Sequence, residues 1–162
     1  MARRLDPRAA AGGRRRPGGR LTAPTPPARV LETCVYAADL AAAERFYVDV
    51  LRLTPFARVE GRHVFFRAGP GVFLVFAPAA TATAPGQVGG VPVPSHGATG
   101  AGHVAFAVDE AALDAWRAHL AAHDVAVEAE IAWPRGGRSL YVRDPAGNSV
   151  ELATPSIWGL DP

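Results

Sequence analysis

The stretch SLYVRDPAGNSVELA, residues 139–153, decides how the chain folds. Two short runs rich in β-branched and aromatic residues, Ser139 to Arg143 and Ser149 to Ala153, flank Asp-Pro-Ala-Gly-Asn. Those five residues fix φ, accept positive φ or bond their own backbone, so the stretch predicts a β-hairpin. The second strand carries a carboxylate, Glu151, between Val150 and Leu152. Successive strand residues point to opposite faces, so if Val150 and Leu152 face the core, Glu151 faces the other side of the sheet.

Working backwards, the same order of elements occurs twice. Val30 to Ala37 has the composition of a strand, and Asp39 is placed to cap a helix whose apolar residues Leu40, Ala43, Phe46, Tyr47, Val50 and Leu51 form one stripe. Three apolar runs follow, near Phe56 to Glu60, His63 to Arg67 and Val72 to Ala77, divided by Gly61 and by Gly69-Pro70-Gly71. After residue 101 the pattern restarts. His103 to Val108 reads as a strand, Asp109 as a cap, Leu113, Trp116 and Leu120 as a helix face, and Val125 to Ile131 as a strand leading into the closing hairpin. The predicted fold class is α+β: two βαβββ modules, residues 30–77 and 102–155, forming a half-open curved barrel around one pocket. Residues 78–101, dominated by Ala, Thr, Pro and Gly, read as a structureless linker or lid within a domain spanning 30–162.

Charge is divided unevenly. Residues 1–29 hold eight Arg and one Asp among Gly, Pro and Ala, whereas residues 30–162 hold nine Arg against fourteen Asp and Glu. The basic segment lacks apolar periodicity and is expected to be a disordered tail, with nucleic acid an unlikely partner for the acidic remainder. Ala9 to Gly13 is too short and too weakly apolar for a secretory signal, and no run is long enough to span a membrane. A single cysteine, Cys34, excludes an internal disulfide framework and fits a reducing, cytoplasmic setting.

Overlaying the two copies brings out the candidate site. Matching the opening strands sets His103 against Glu32, and matching GNSVEL with Gly71-Val-Phe-Leu-Val-Phe76 sets Glu151 against Val75. Glu32, His103 and Glu151 then form one imidazole and two carboxylates, a reasonable set for Zn²⁺, Mn²⁺, Ni²⁺ or Fe²⁺ with positions left open for substrate. His63, His96, Arg138 and Tyr141 are candidates for orienting the substrate, with Arg135 beside them. Trp133, Phe65 and Tyr141 are candidate aromatic walls, and Cys34 and Tyr36 share the strand face of Glu32.

The repeated βαβββ order, His103 in GHVAFAV, the Asp144 to Asn148 turn and Glu151 in GNSVEL resemble the vicinal oxygen chelate superfamily. That group includes glyoxalase I, bleomycin-resistance proteins, fosfomycin-resistance transferases and extradiol dioxygenases, and the resemblance covers about residues 30 to 155. It implies a glyoxalase- or dioxygenase-like enzyme, of lyase, isomerase or dioxygenase type, chelating adjacent oxygens of a small substrate, a homodimer, and a divalent metal ion held by Glu32, His103 and Glu151, with Glu151 catalytic. Glu32 stands where the family commonly has His or Gln, and Val75 where glyoxalase I-like members carry a carboxylate. The resemblance also admits a second role, a metal-free drug- or metabolite-binding protein of the bleomycin-resistance type.

Overall fold

A computed structural model describes residues 23–160. The Arg-rich segment 1–22 lies outside the described residues, and residues 23–29 are exposed and carry neither helix nor strand.

The first module runs β1 (Glu32–Tyr36), α1 (Leu40–Arg45), β2 (Thr54–Val59), β3 (His63–Ala68) and β4 (Gly71–Phe76). Asp39 caps α1 by accepting a 2.9 Å hydrogen bond from the Ala42 amide. The helix then widens into a π turn over Phe46–Val50, where the Leu51 amide reaches back five residues to Phe46 O at 3.1 Å. That turn lets adjacent Phe46 and Tyr47 both enter the core together with Ala43, Val50 and Leu51.

In the linker, expected to be structureless, α2 (Pro78–Thr83) precedes a two-residue hairpin of β5 (Gln87–Val88) and β6 (Val91–Pro92). The Arg62 guanidinium binds α2 to the sheet, donating to Ala80 O at 2.9 Å and Ala84 O at 2.7 Å. These bonds satisfy carbonyls that the sequence pattern alone would leave unpaired.

The second module runs β7 (His103–Ala107), α3 (Leu113–Ala122), β8 (Ala129–Ala132), β9 (Arg138–Arg143) and β10 (Ser149–Ala153). Two local expectations change here. A short 3₁₀ turn at Glu110–Ala112 intervenes before α3 and the Asp109 side chain makes no cap bond, and the strand expected from Val125 begins only at Ala129.

The fold is α+β, with strand orders β1-β4-β3-β2 and β7-β10-β9-β8 in two four-stranded sheets that are not closed into a barrel. In each sheet the opening strand runs parallel to the last one, while the remaining pairs are antiparallel. One face of both sheets packs into a single core containing Val35, Tyr47, Phe66, Phe73, Val75, Val104, Leu113, Leu140, Val142, Val150 and Leu152. Phe73 meets Phe106 edge-on at 5.2 Å, and the His119 ring N–H donates to Val50 O at 3.0 Å, so both modules share this core. The opposite face of each sheet is left open.

The hairpin turn binds the modules together. Buried Asp144 accepts from the Ala146 and Asn148 amides through Oδ1 at 2.9 and 2.8 Å. Its Oδ2 accepts from Asn148 Nδ2 and from the Tyr47 hydroxyl of the first module, each at 2.8 Å. Burial, and then Asp144, raise the Tyr47 phenol far above its ordinary value, so it stays a donor. Asn148 also donates to Tyr36 O at 3.1 Å and accepts from the Gly102 amide at 2.7 Å. A turn that sets hairpin register is therefore also the polar clasp between modules.

Candidate functional site

Strand pairing defines which residues of the two modules correspond. Ser149 lies opposite His103 and Val72 opposite Glu32, so His103 and Glu32 hold matching places on their opening strands. Glu151 lies opposite Tyr141 on β9. Its counterpart, two residues beyond Val72, is Leu74, which lies opposite Phe65 on β3. The overlay of Glu151 on Val75 is thus out by one residue: Val75 is fully buried in the core, on the other face of β4. Because Gly71–Phe76 is apolar on both faces, sequence alternation cannot disclose which residues face the core.

On the open face of the second module, Glu151 is 5% exposed, and His103 Nε2 stands 3.3 Å from its Oε2. The imidazole's other nitrogen, Nδ1, is 3.2 Å from Ser149 O. A carbonyl can only accept, so that contact places the proton on Nδ1 and leaves the Nε2 lone pair directed at the carboxylate. Two electron-pair donors converging at that distance need a cation or a proton between them. The buried Glu151 Oε1 has no hydrogen-bond partner among the described residues, an expensive state for a carboxylate unless something binds it. An imidazole whose second nitrogen donates to a backbone carbonyl is the usual arrangement of a metal-ligating histidine. The donor set therefore fits a divalent ion.

Tyr141 stacks on His103 with ring centroids 6.3 Å apart and planes 20° apart. Desolvation first, and then the Glu151 carboxylate, push its phenol up to about 12, so it is a neutral donor near neutral pH.

The other sequence candidates divide. Glu32 does not join the pair within one chain, because β1 and β7 run side by side in opposite senses. Val30 to Thr33 and Ala105 to Val108 line one cavity, whereas Tyr36 O is held by Asn148 beside Gly102. Glu32 therefore sits at the far end from His103, roughly 13 Å away at the rise of a strand. Among the described residues no group of three or more His, Cys, Asp or Glu side chains is placed to hold a metal ion. Arg138 lies on the core-side face of β9, outside the open face, and pairs with Glu130 and Asp114; the Glu130 carboxylate raises its pKa further. Arg135 is exposed in the loop before β9. Trp133 donates from Nε1 to Ser139 Oγ at 2.8 Å.

His63 and His96 both belong to the open face of the first module. His63 stacks on Phe65 at 4.0 Å, and burial, then Arg62, lower its pKa and hold the ring neutral. His96, carried over the sheet by the linker, meets Phe76 edge-on at 4.6 Å, with Nδ1 2.8 Å from the Tyr36 hydroxyl. Burial, then Cys34, raise the Tyr36 phenol, so it serves as donor in that bond. Phe76 is absent from the sequence candidates, and Tyr36 and His96 are named there only singly, since partners 60 residues apart leave no local pattern.

Residues 29–152 match the model of the Glyoxalase/Bleomycin resistance protein/Dioxygenase superfamily. The chain belongs to that superfamily. It is similar to the crystal structure of lactoylglutathione lyase from Agrobacterium tumefaciens, at 41% identity and a TM-score of 0.77 over 84% of this chain and 100% of that one. The fosfomycin resistance protein FosX from Mesorhizobium loti (21% identity, TM-score 0.52, 78% and 90% covered) shares the fold. TioX from Micromonospora sp. ML1 (19%, 0.59, 76% and 96%) does so as well. None of the curated proteins matches the chain. Membership and the 41% relative together indicate enzymatic activity. No described helix is long and apolar enough to cross a membrane.

Proposed function

We propose that the protein is a metal-dependent lyase or isomerase of this superfamily, acting on a small substrate with adjacent oxygens, and that it works as a homodimer. The observation that carries the reading is the convergence of His103 Nε2 and Glu151 Oε2 at 3.3 Å beside an unpartnered, enclosed Glu151 Oε1. His103 and Glu151 of one copy and Glu32 of the other would hold the ion, with Zn²⁺, Mn²⁺, Ni²⁺ and Fe²⁺ all compatible with that set. A bound divalent ion supplies Lewis acidity to the substrate's oxygens.

The chain's own groups have separable tasks. Glu151 accepts and returns a substrate proton through the oxygen that no neighbouring donor engages. Tyr141, kept neutral, donates to a substrate oxygen. His63 and His96 line the approach from the first module.

A second copy is favoured by the edges left bare. Val30 and Leu31 are 78% and 63% exposed, and the apolar cavity of about 380 Å³ beside them contains neither His103 nor Glu151. Contact with a partner along β1 and β7 would cover that edge and bring a second Glu32 toward the pair.

Metal content of the purified protein tests the reading: about one divalent ion per chain is expected, and it should be lost in both Glu151→Gln and Glu32→Gln. Mixing those two inactive variants should restore part of the metal binding through hybrid dimers. A wild type that holds no divalent ion overturns the proposal, and retained small-molecule binding in EDTA would then indicate a binding protein instead.

A further inference from the structure

We infer that the first module's open face binds an uncharged, planar aromatic group of the substrate, and not a glutathione-like peptide. The inference rests on the proposed function for the location of the reacting oxygens but adds the substrate's chemical class.

Strand alternation and pairing place residues of β1, β4, β3 and β2 on this face in rows. One end of the face carries the charged side chains. Glu32 lies opposite Val72, and Val72 lies opposite Arg67, whose guanidinium rests 4.0 Å over the Phe56 ring. The other end is aromatic. Tyr36 lies opposite Phe76 and Phe76 opposite His63, with His63–Phe76 centroids at 5.8 Å and Phe65–Phe76 at 5.4 Å. His96 closes over Phe76 from the linker. These rings are half-buried rather than sealed in the core, so they present π faces and edges that a further ring can stack on or abut.

Electrostatics narrows the class. A glutathione conjugate brings two carboxylates and an ammonium, and each would need a partner once removed from water. At the aromatic end His63 and Tyr36 are held neutral, the Tyr36 hydroxyl is already engaged by His96, and the nearby Arg62 guanidinium is engaged by Ala80 O and Ala84 O. On the open face of the second module, Arg143 is paired with Glu128. His63 Nδ1 is enclosed without a partner, which suits a phenolic, lactam or ring-nitrogen substituent better than a free carboxylate.

Calorimetric titration of the full chain with 2-naphthol and with S-hexylglutathione, both in EDTA, tests this. 2-Naphthol should bind the more tightly, and Phe65→Leu should weaken it about fivefold, the size of one lost aromatic contact. His96→Ala, a substitution in an exposed-side loop, should do the same and serves if Phe65→Leu fails to fold. Tighter binding of S-hexylglutathione, or 2-naphthol affinity unchanged in the folded variants, would overturn the inference. Since no metal is present in the titration, failure of the metal reading leaves this result standing. Conversely, a metal-loaded protein indifferent to 2-naphthol removes the aromatic class alone.

Discussion

Residue by residue, the two modules hold matching positions on their open faces and fill them with opposite chemistry. Where the first has Leu74, Phe65, His63 and Phe76, the second has Glu151, Tyr141, Ser139 and Ala153. Where β1 carries Cys34 and Tyr36, β7 carries Ala105 and Ala107. Core-facing positions do not diverge in this way: Phe66, Phe73 and Val75 answer to Val142, Val150 and Leu152, apolar and buried on both sides. The shared core fixes the scaffold, so the open faces are free to differ, one filled with aromatic bulk and the other with small residues around a buried carboxylate.

The register that defines this correspondence can be broken most severely at Val75. Val75→Glu places a carboxylate in the core with no partner and should cost more than about 4 kcal/mol, a large part of an ordinary domain's stability. Leu74→Glu, the true counterpart of Glu151, puts the same group at a 6%-exposed position on the face away from the core and should cost clearly less. Thermal melts of the two variants decide it, and equal damage would mean that the correspondence is wrong.

Next in size is the clasp, which only the second module possesses. Asp144→Ala leaves the Tyr47 hydroxyl and the Asn148 side chain without their acceptor and should cost about 3–5 kcal/mol, lowering Tm by about 10 °C in a chain of this size. Tyr47→Phe removes one bond of the set and should cost only about 1 kcal/mol.

Glu151→Leu converts the second module's central position into the first module's. It removes an enclosed carboxylate whose Oε1 has no partner, so the metal-free protein should gain about 1–2 kcal/mol while losing its divalent ion. Stability rising as metal binding disappears would mark Glu151 as a functional group held at the expense of folding. A fall in Tm of the metal-free variant would show instead that Glu151 supports the sheet.

Much of the architecture could be read from the chain because the signals are local: the Asp-Pro-Ala-Gly-Asn turn, the Asp39 cap and the repeated order of apolar runs. Glu151 and His103 stood out for the same reason, being polar residues inside apolar strands. What escaped depended on contacts between distant segments. Gly71 to Phe76 is apolar on both faces, so its register, and with it the choice of Leu74 over Val75, emerged only from pairing with β1 and β3. Arg138 had the composition of a substrate-binding loop residue, yet it starts a strand, where Asp114 of α3 and Glu130 of the neighbouring β8 take it. Asp144 was legible as a turn former, while its bond to Tyr47 spans 97 residues and leaves no trace in either neighbourhood.

The smallest expected effect separates the two histidines of the open faces by pH. In the folded chain His63 has a lowered pKa, through burial and then Arg62, so the unfolded chain takes up its proton first as pH falls below about 6.5. Unfolding then binds protons, and stability falls as pH drops through that region. Exposure of the ring keeps the effect small, visible as a slight loss of Tm between pH 7.5 and 5.5. His63→Phe preserves the flat ring against Phe65 and removes the titration, while every other acid-titrating group stays in both proteins. The difference between the two Tm–pH curves therefore isolates His63: the variant's curve should be the flatter. Parallel curves would mean that the ring is not held neutral by its surroundings, and would weaken the case that this face is built for an uncharged ligand.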